Sequence, residues 1–136
     1  MCLRETITIG EALDATVLTA GNKPVEWSDA AAIQAAEVRA TGRTNIMPGG
    51  VAASAQSAAT LNARANSEDD KTTLAVVLTV RGGARSKLLS DKPATRKDAE
   101  GVTGAEMRND PHLTTYPTGV AASVAAAAAA RINQAK

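Results

Sequence analysis

Apolar positions along this chain recur at helical spacing, and most of them are small. Ile9, Leu13 and Val17 fall at i, i+4 and i+8, a narrow stripe that predicts a first helix ended by Gly21-Asn22. Ser28 reads as the N-cap of a second helix through Ala30–Ala40, with Asp29 at its positive end and a stop near Gly42. Pro48 opens a third helix through Ala52–Asn62. Thr72–Val80 mixes strand-favouring Thr and Val with a helical stripe of Leu74, Val77 and Leu78. By analogy with the start of the chain it is read as helix. Thr95 with Asp98 resembles a capping box, Asp standing where Glu or Gln is usual, ahead of a helix that contains Gly101 and Gly104. Each glycine weakens a helix by about 1 kcal/mol relative to Ala. The last helix follows Pro117 and holds the run Ala125–Ala130.

The pattern repeats. Lys23-Pro24 recurs as Lys92-Pro93, 69 residues later, and at that offset Asp29-Ala30 matches Asp98-Ala99. Ala36-Glu37-x-Arg39 matches Ala105-Glu106-x-Arg108, and Pro48-x-Gly50-Val51-Ala52-Ala53-Ser54 matches Pro117-x-Gly119-Val120-Ala121-Ala122-Ser123. Between positions 23 and 59, 15 of 37 residues are identical in the second copy. Thr8-Ile9-x-x-x-Leu13 aligns with Thr73-Leu74-x-x-x-Leu78 once four extra residues are allowed. The expected organisation is a flexible tail over residues 1–6 and a single domain over 7–136. That domain consists of repeats 7–65 and 72–136 joined by the polar stretch 66–71.

Composition changes the picture of the core. Hydrophobic residues make 44% of the 136, yet 30 residues are alanine, 24 are Leu, Ile or Val, and Phe is absent. A buried methyl contributes about 0.8 kcal/mol against roughly 1.5–3 for a Leu or Val side chain. Trp27 and Tyr116 are the only aromatic residues, so no aromatic cluster anchors a core. The expected fold class is mainly α, with Ala-rich helices in two internally repeated halves, marginally stable or partly disordered in solution.

Charge is balanced at 15 basic and 14 acidic residues, without the basic face that specific nucleic-acid binding requires. No apolar stretch reaches membrane-spanning length, and Met1-Cys2-Leu3-Arg4-Glu5 lacks the apolar region of a secretory signal. With one cysteine and no internal disulfide, a reducing compartment is expected.

Candidate chemistry is sparse. Cys2 and His112 are the only residues of their types and fit no metal-ligand spacing. His112 lies far from any Gly-x-Ser-x-Gly elbow, and nothing near Cys2 in sequence would lower its pKa. Neither Gly49-Gly50 nor Arg81-Gly82-Gly83 completes a phosphate loop, though a loose anion site at Gly49 is conceivable at a helix start. Glu37-x-Arg39 and Glu106-x-Arg108 are two apart and share no helix face, so they read as charges that solubilise the helix or tie it to a neighbour. Gly50, Ser54 and Ala58, with Gly119, Ser123 and Ala127, form small-residue stripes suited to close helix–helix contact, within the chain or between chains. The expectation is no enzyme, with no catalytic residue, no metal ligand and no cofactor-binding residue.

Several segments resemble the seed maturation protein domain of the late embryogenesis abundant group. They are Ile7–Leu13, Ser28–Gly42, Pro48–Ala53, Asp98–Val102, Gly104–Asn109 and Thr115–Ala122. The chain departs from the pattern over Val80–Ser90, at Trp27 and at Thr118. The resemblance implies late seed development, abscisic-acid response and protection during drying, in the cytoplasm and nucleus, with no known catalytic residues. Many members of the group are longer or carry more than one such domain, so it also implies a short form. The expected function is a non-catalytic desiccation protectant that gains helix on water loss and shields client proteins or membrane surfaces. The alternative is a small helical interaction module that forms a homo-oligomer or binds a partner through its Ala/Gly/Ser faces.

Overall fold

The computed structural model describes residues 8–41, 50–65, 71–79, 94–110, 115 and 119–134. Among them are six helices and no strand: α1 (Ile9–Ala20), α2 (Trp27–Thr41), α3 (Val51–Ala63), α4 (Leu74–Thr79), α5 (Arg96–Arg108) and α6 (Val120–Gln134).

Local chemistry sets the helix starts. Thr8 and Glu11 form a full capping box: the Thr8 hydroxyl accepts the Glu11 N–H at 3.1 Å, and Glu11 Oε1 accepts the Thr8 N–H at 2.9 Å. The sequence signature Thr-x-x-Glu carried this, and the reading by apolar spacing passed over it. Thr95 and Asp98 make the same reciprocal pair at 3.2 and 3.0 Å, as expected. The start of α2 differs from expectation. The helix begins at Trp27, so Ser28 is buried in its first turn rather than capping it. Glu26 takes the N-cap place: its carbonyl accepts the Ala30 N–H at 3.0 Å, and its own N–H goes to Asp29 Oδ2 at 2.9 Å. An Asp three residues into the helix can bond back to the N-cap backbone, so Asp29 decides the boundary.

The segment from Thr72 forms a helix as expected, though only over Leu74–Thr79, and this short helix α4 is spliced to the chain after α1. Val25 N–H donates to Thr72 O at 3.0 Å, Leu74 N–H to Lys23 O at 2.9 Å and Ala75 N–H to Gly21 O at 3.0 Å, around an antiparallel bridge of Pro24 with Thr73. The first free N–H groups of α4 are thereby satisfied. Buried Asn62 locks the splice, donating to Val25 O at 3.0 Å and Thr72 O at 2.8 Å while its Oδ1 accepts the Thr72 N–H at 2.8 Å. A Cβ at Gly21 would overlap the Val17 carbonyl oxygen and press on Ala75, so this close approach needs glycine.

Helices α2 and α5 pack on each other at the centre, with α3 on α2 and α6 on α5. The first helices cross over: α1 lies on α6 and on α4, and α4 lies on α3. Thr16 of α1 donates to Ser123 Oγ of α6 at 2.8 Å, so the small-residue stripe of α6 is a contact within the chain. Val51 and Val120 are both fully buried at the first positions of their helices, the equivalent use expected from the 69-residue offset. Of 27 buried hydrophobic residues among those described, 16 are alanine and none is aromatic; Trp27 stands 51% exposed.

Candidate functional site

The buried polar groups are where this fold concentrates its chemistry. Four carboxylates are buried among the described residues: Asp29, Glu37, Asp98 and Glu106. All four cap helices. Asp29 and Asp98 hold the N-cap amides of Glu26 and Thr95 in their own helices. Glu37 and Glu106 reach across to the next helix: Glu37 Oε2 accepts the Ala52 N–H at 3.4 Å, and Glu106 Oε1 accepts the Ala121 N–H at 3.1 Å. A carboxylate there satisfies an otherwise orphaned helix donor and opposes the positive helix end. The two glutamates therefore tie helices together, the second of the two roles expected for them. The Glu37 carboxylate thus sits at the N-terminus of α3, while Gly49, the position of the conceivable anion site, lies outside the described residues.

Two cations attend the aspartates differently. Lys23 Nζ contacts Asp29 Oδ2 at 2.5 Å and Glu26 Oε1 at 2.8 Å. Burial pushes the Asp29 carboxyl above its ordinary range despite Lys23, and Asp29 Oδ1 is buried without a partner. Burial opposes the charge of Lys23, but hydrogen bonds and attraction from Asp29 and Glu26 outweigh it and hold the ammonium above its ordinary value. Asp98 is met from the opposite helix instead, by Arg39 Nη1 of α2 at 3.5 Å to Oδ1. That reach depends on Gly101, because a Cβ there would overlap the Arg39 guanidinium. At the position 69 residues earlier stands Ala32, fully buried. No mirror-image seat exists for Arg108.

A cleft of about 450 Å³ is lined by Lys23, Glu26, Trp27, Asn62, Lys71 and Asn109 among others. Its polar side chains serve the fold first: Asn62 holds the α4 splice and Lys23 holds Asp29. No group of three or more His, Cys, Asp or Glu placed to hold a metal ion occurs among the described residues. None of the described helices is long and apolar enough to cross a membrane. Cys2, His112, Gly49, Pro48, Pro117, Thr118 and the Arg81-Gly82-Gly83 segment lie outside the described residues.

Comparisons with known proteins agree with one another. A model of the seed maturation protein family matches the chain over residues 7–65 and again over 72–136. Late embryogenesis abundant protein 47 of Arabidopsis thaliana is 88% identical over 131 residues, 96% of this chain and 66% of that protein. Late embryogenesis abundant protein D-34 of Gossypium hirsutum is 60% identical over 132 residues, 97% of this chain and 48% of its own length. Late embryogenesis abundant protein 3 of Arabidopsis thaliana is 52% identical over 130 residues, 96% of this chain and 69% of its own length. The chain thus spans between about half and about two thirds of the curated relatives it matches. No solved structure matches it.

Proposed function

The chain belongs to the seed maturation protein family, and from that premise we propose that it is a non-catalytic desiccation protectant of the late embryogenesis abundant type. The observation that carries the mechanism is the core: 16 of its 27 described apolar residues are alanine, and none of the described ones is aromatic. A methyl removes little surface from water, so the hydrophobic contribution per residue ordered is small. In dilute buffer the helical fold is therefore marginal and part of the chain is unfolded. As water leaves, competition for the backbone N–H and C=O groups fades, and an unpaired group becomes costly. Helix is the response.

The unit that responds is a single domain of two internal repeats, 7–65 and 72–136, joined by 66–71. Two observations support this: the family model matches twice, and Glu37–Ala52 and Glu106–Ala121 make the same bond 69 residues apart. Helix faces rich in alanine and mixed charge can lie between client proteins, or against membrane surfaces, without offering large apolar patches that promote aggregation. The cytoplasm and nucleus are the compartments proposed for this activity.

Circular dichroism in buffer and in the dried state tests the reading, alongside recovery of an unrelated client enzyme dried with and without the chain. Modest helicity in buffer, a clear rise on drying and better client recovery are expected. A cooperative, high-melting fold unchanged by drying would overturn the mechanism.

A further inference from the structure

We propose that the groove between α2 and α5 binds an oxyanion of the phosphate class, clasped between the guanidinium groups of Arg39 and Arg108. This goes beyond the protectant reading and does not depend on it. The groove has a volume of about 880 Å³, and Gln34, Arg39, Asp98, Glu100, Gly101 and Arg108 are among the residues that line it. Arg39 comes from α2 and Arg108 from α5, and each guanidinium rests over a glycine of α5. A Cβ at Gly101 would overlap the Arg39 guanidinium, and one at Gly104 would sit 3.0 Å from Arg108 Nη1. Residues three apart on a helix are surface neighbours, roughly 5–6 Å between Cβ positions. Two planar cations are therefore seated side by side on one face.

Neither glycine helps the helix, since alanine is the better helix former at both places. Gly101 opens the space that the Arg39 guanidinium fills, and a Cβ at Gly104 would crowd the tip of Arg108. Two acids, Asp98 and Glu100, line the same groove, but each already has a partner. Asp98 meets Arg39 at 3.5 Å through Oδ1 while its Oδ2 holds the Thr95 amide. Glu100 pairs with Arg96 at 3.7 Å. Arg108 has no ion-pair partner among the described residues. A guanidinium offers its donors in a planar fork that matches two oxygens of a phosphate, and a pair of forks matches a dianion.

The probe is inorganic phosphate, titrated at low ionic strength, where screening is weak, into the full chain held helical by a neutral osmolyte and checked by dichroism. Calorimetry should give saturable binding, and the Gly101 and Gly104 amide signals of the unmodified chain should shift with it. Arg108→Gln should weaken binding at least tenfold. Arg64→Gln, which removes the same charge from the exposed end of α3, should change it less than twofold. Pelleting with phosphatidylcholine vesicles, with and without phosphatidic acid, then separates the sources. Arg108-dependent pelleting marks a lipid headgroup, and phosphate binding without pelleting marks a soluble phosphate ester; either supports the site. Absence of saturation, equal loss in Arg64→Gln and Arg108→Gln, or glycine amides that stay fixed while phosphate binds would each overturn it. Arg108 is exposed, so the variant should keep its dichroism; if it unfolds, the amide shifts of the unmodified chain decide.

Discussion

Replacing Glu106 with alanine should unsettle this protein more than its place on a charged, Ala-rich helix suggests. Glu106 is 1% exposed and its Oε1 accepts the Ala121 N–H at 3.1 Å, at the second position of α6. Loss of a capping acceptor costs about 1 kcal/mol. Loss of a negative charge at the positive helix end costs roughly 0.3–1 kcal/mol more. Ala121 is itself 2% exposed, so its donor is left without water, a penalty of about 1–3 kcal/mol that partly overlaps the first. The working figure is about 2–3 kcal/mol, a large share of the stability of a small domain. Glu106→Gln keeps the shape and an acceptor oxygen, and should lose only the charge contribution, about 1 kcal/mol or less. Glu37→Ala should cost less than Glu106→Ala, because its bond to Ala52 is longer at 3.4 Å. Glu100→Ala is the control: its side chain is 68% exposed and its pairing with Arg96 at 3.7 Å is worth little. Urea unfolding followed by far-UV circular dichroism, with osmolyte added if the unmodified chain is too weakly folded, ranks the four variants. Glu106→Ala and Glu100→Ala unfolding at the same urea concentration would refute the reasoning.

The two glycines of α5 should respond with opposite signs in the same assay. Gly101→Ala should destabilise by about 1 kcal/mol net, because a lost charged contact to buried Asp98 outweighs the helix-propensity gain, whereas Gly104→Ala displaces only the tip of exposed Arg108 and should stabilise by up to about 1 kcal/mol. The Lys23 ammonium is held above its ordinary value of 10.5, so its contribution is complete below that pH and is lost as pH rises through the raised value; Lys23→Met should flatten that alkaline loss in pH-dependent melting. Asp29 is raised above 3.8, so the folded chain binds more protons than the unfolded one just above that pH; stability falls there as pH rises, and Asp29→Asn should remove that part of the fall. Replacing Cys2 and His112 together with alanine should leave client recovery after drying unchanged, and a loss with the helical dichroism intact would reveal a site that neither sequence nor fold discloses.

Sequence alone determined the kind of structure. Capping chemistry at Thr95-Asp98, the stripe Ile9–Leu13–Val17 and the residues after Pro48 and Pro117 are local signals, and helix initiation is decided locally, by which side chain can satisfy which free amide. Alanine content likewise set the character of the core, because the apolar area a chain can bury is a property of its side chains. Only the tertiary structure decided which polar residues became structural. For Glu37 and Glu106 the sequence left open a solubilising role or a tie to a neighbour, because nothing local shows that the start of a helix 15 residues on will arrive beside them. Gly101 looked like a weakness of α5 until Arg39 of another helix came to lie over it. The placement of α1 on α6, and of α4 on α3, had no signature in either segment, since one narrow apolar stripe fits many partners. A helix is written within a dozen neighbouring residues, while a buried charge is licensed by groups brought together from across the chain.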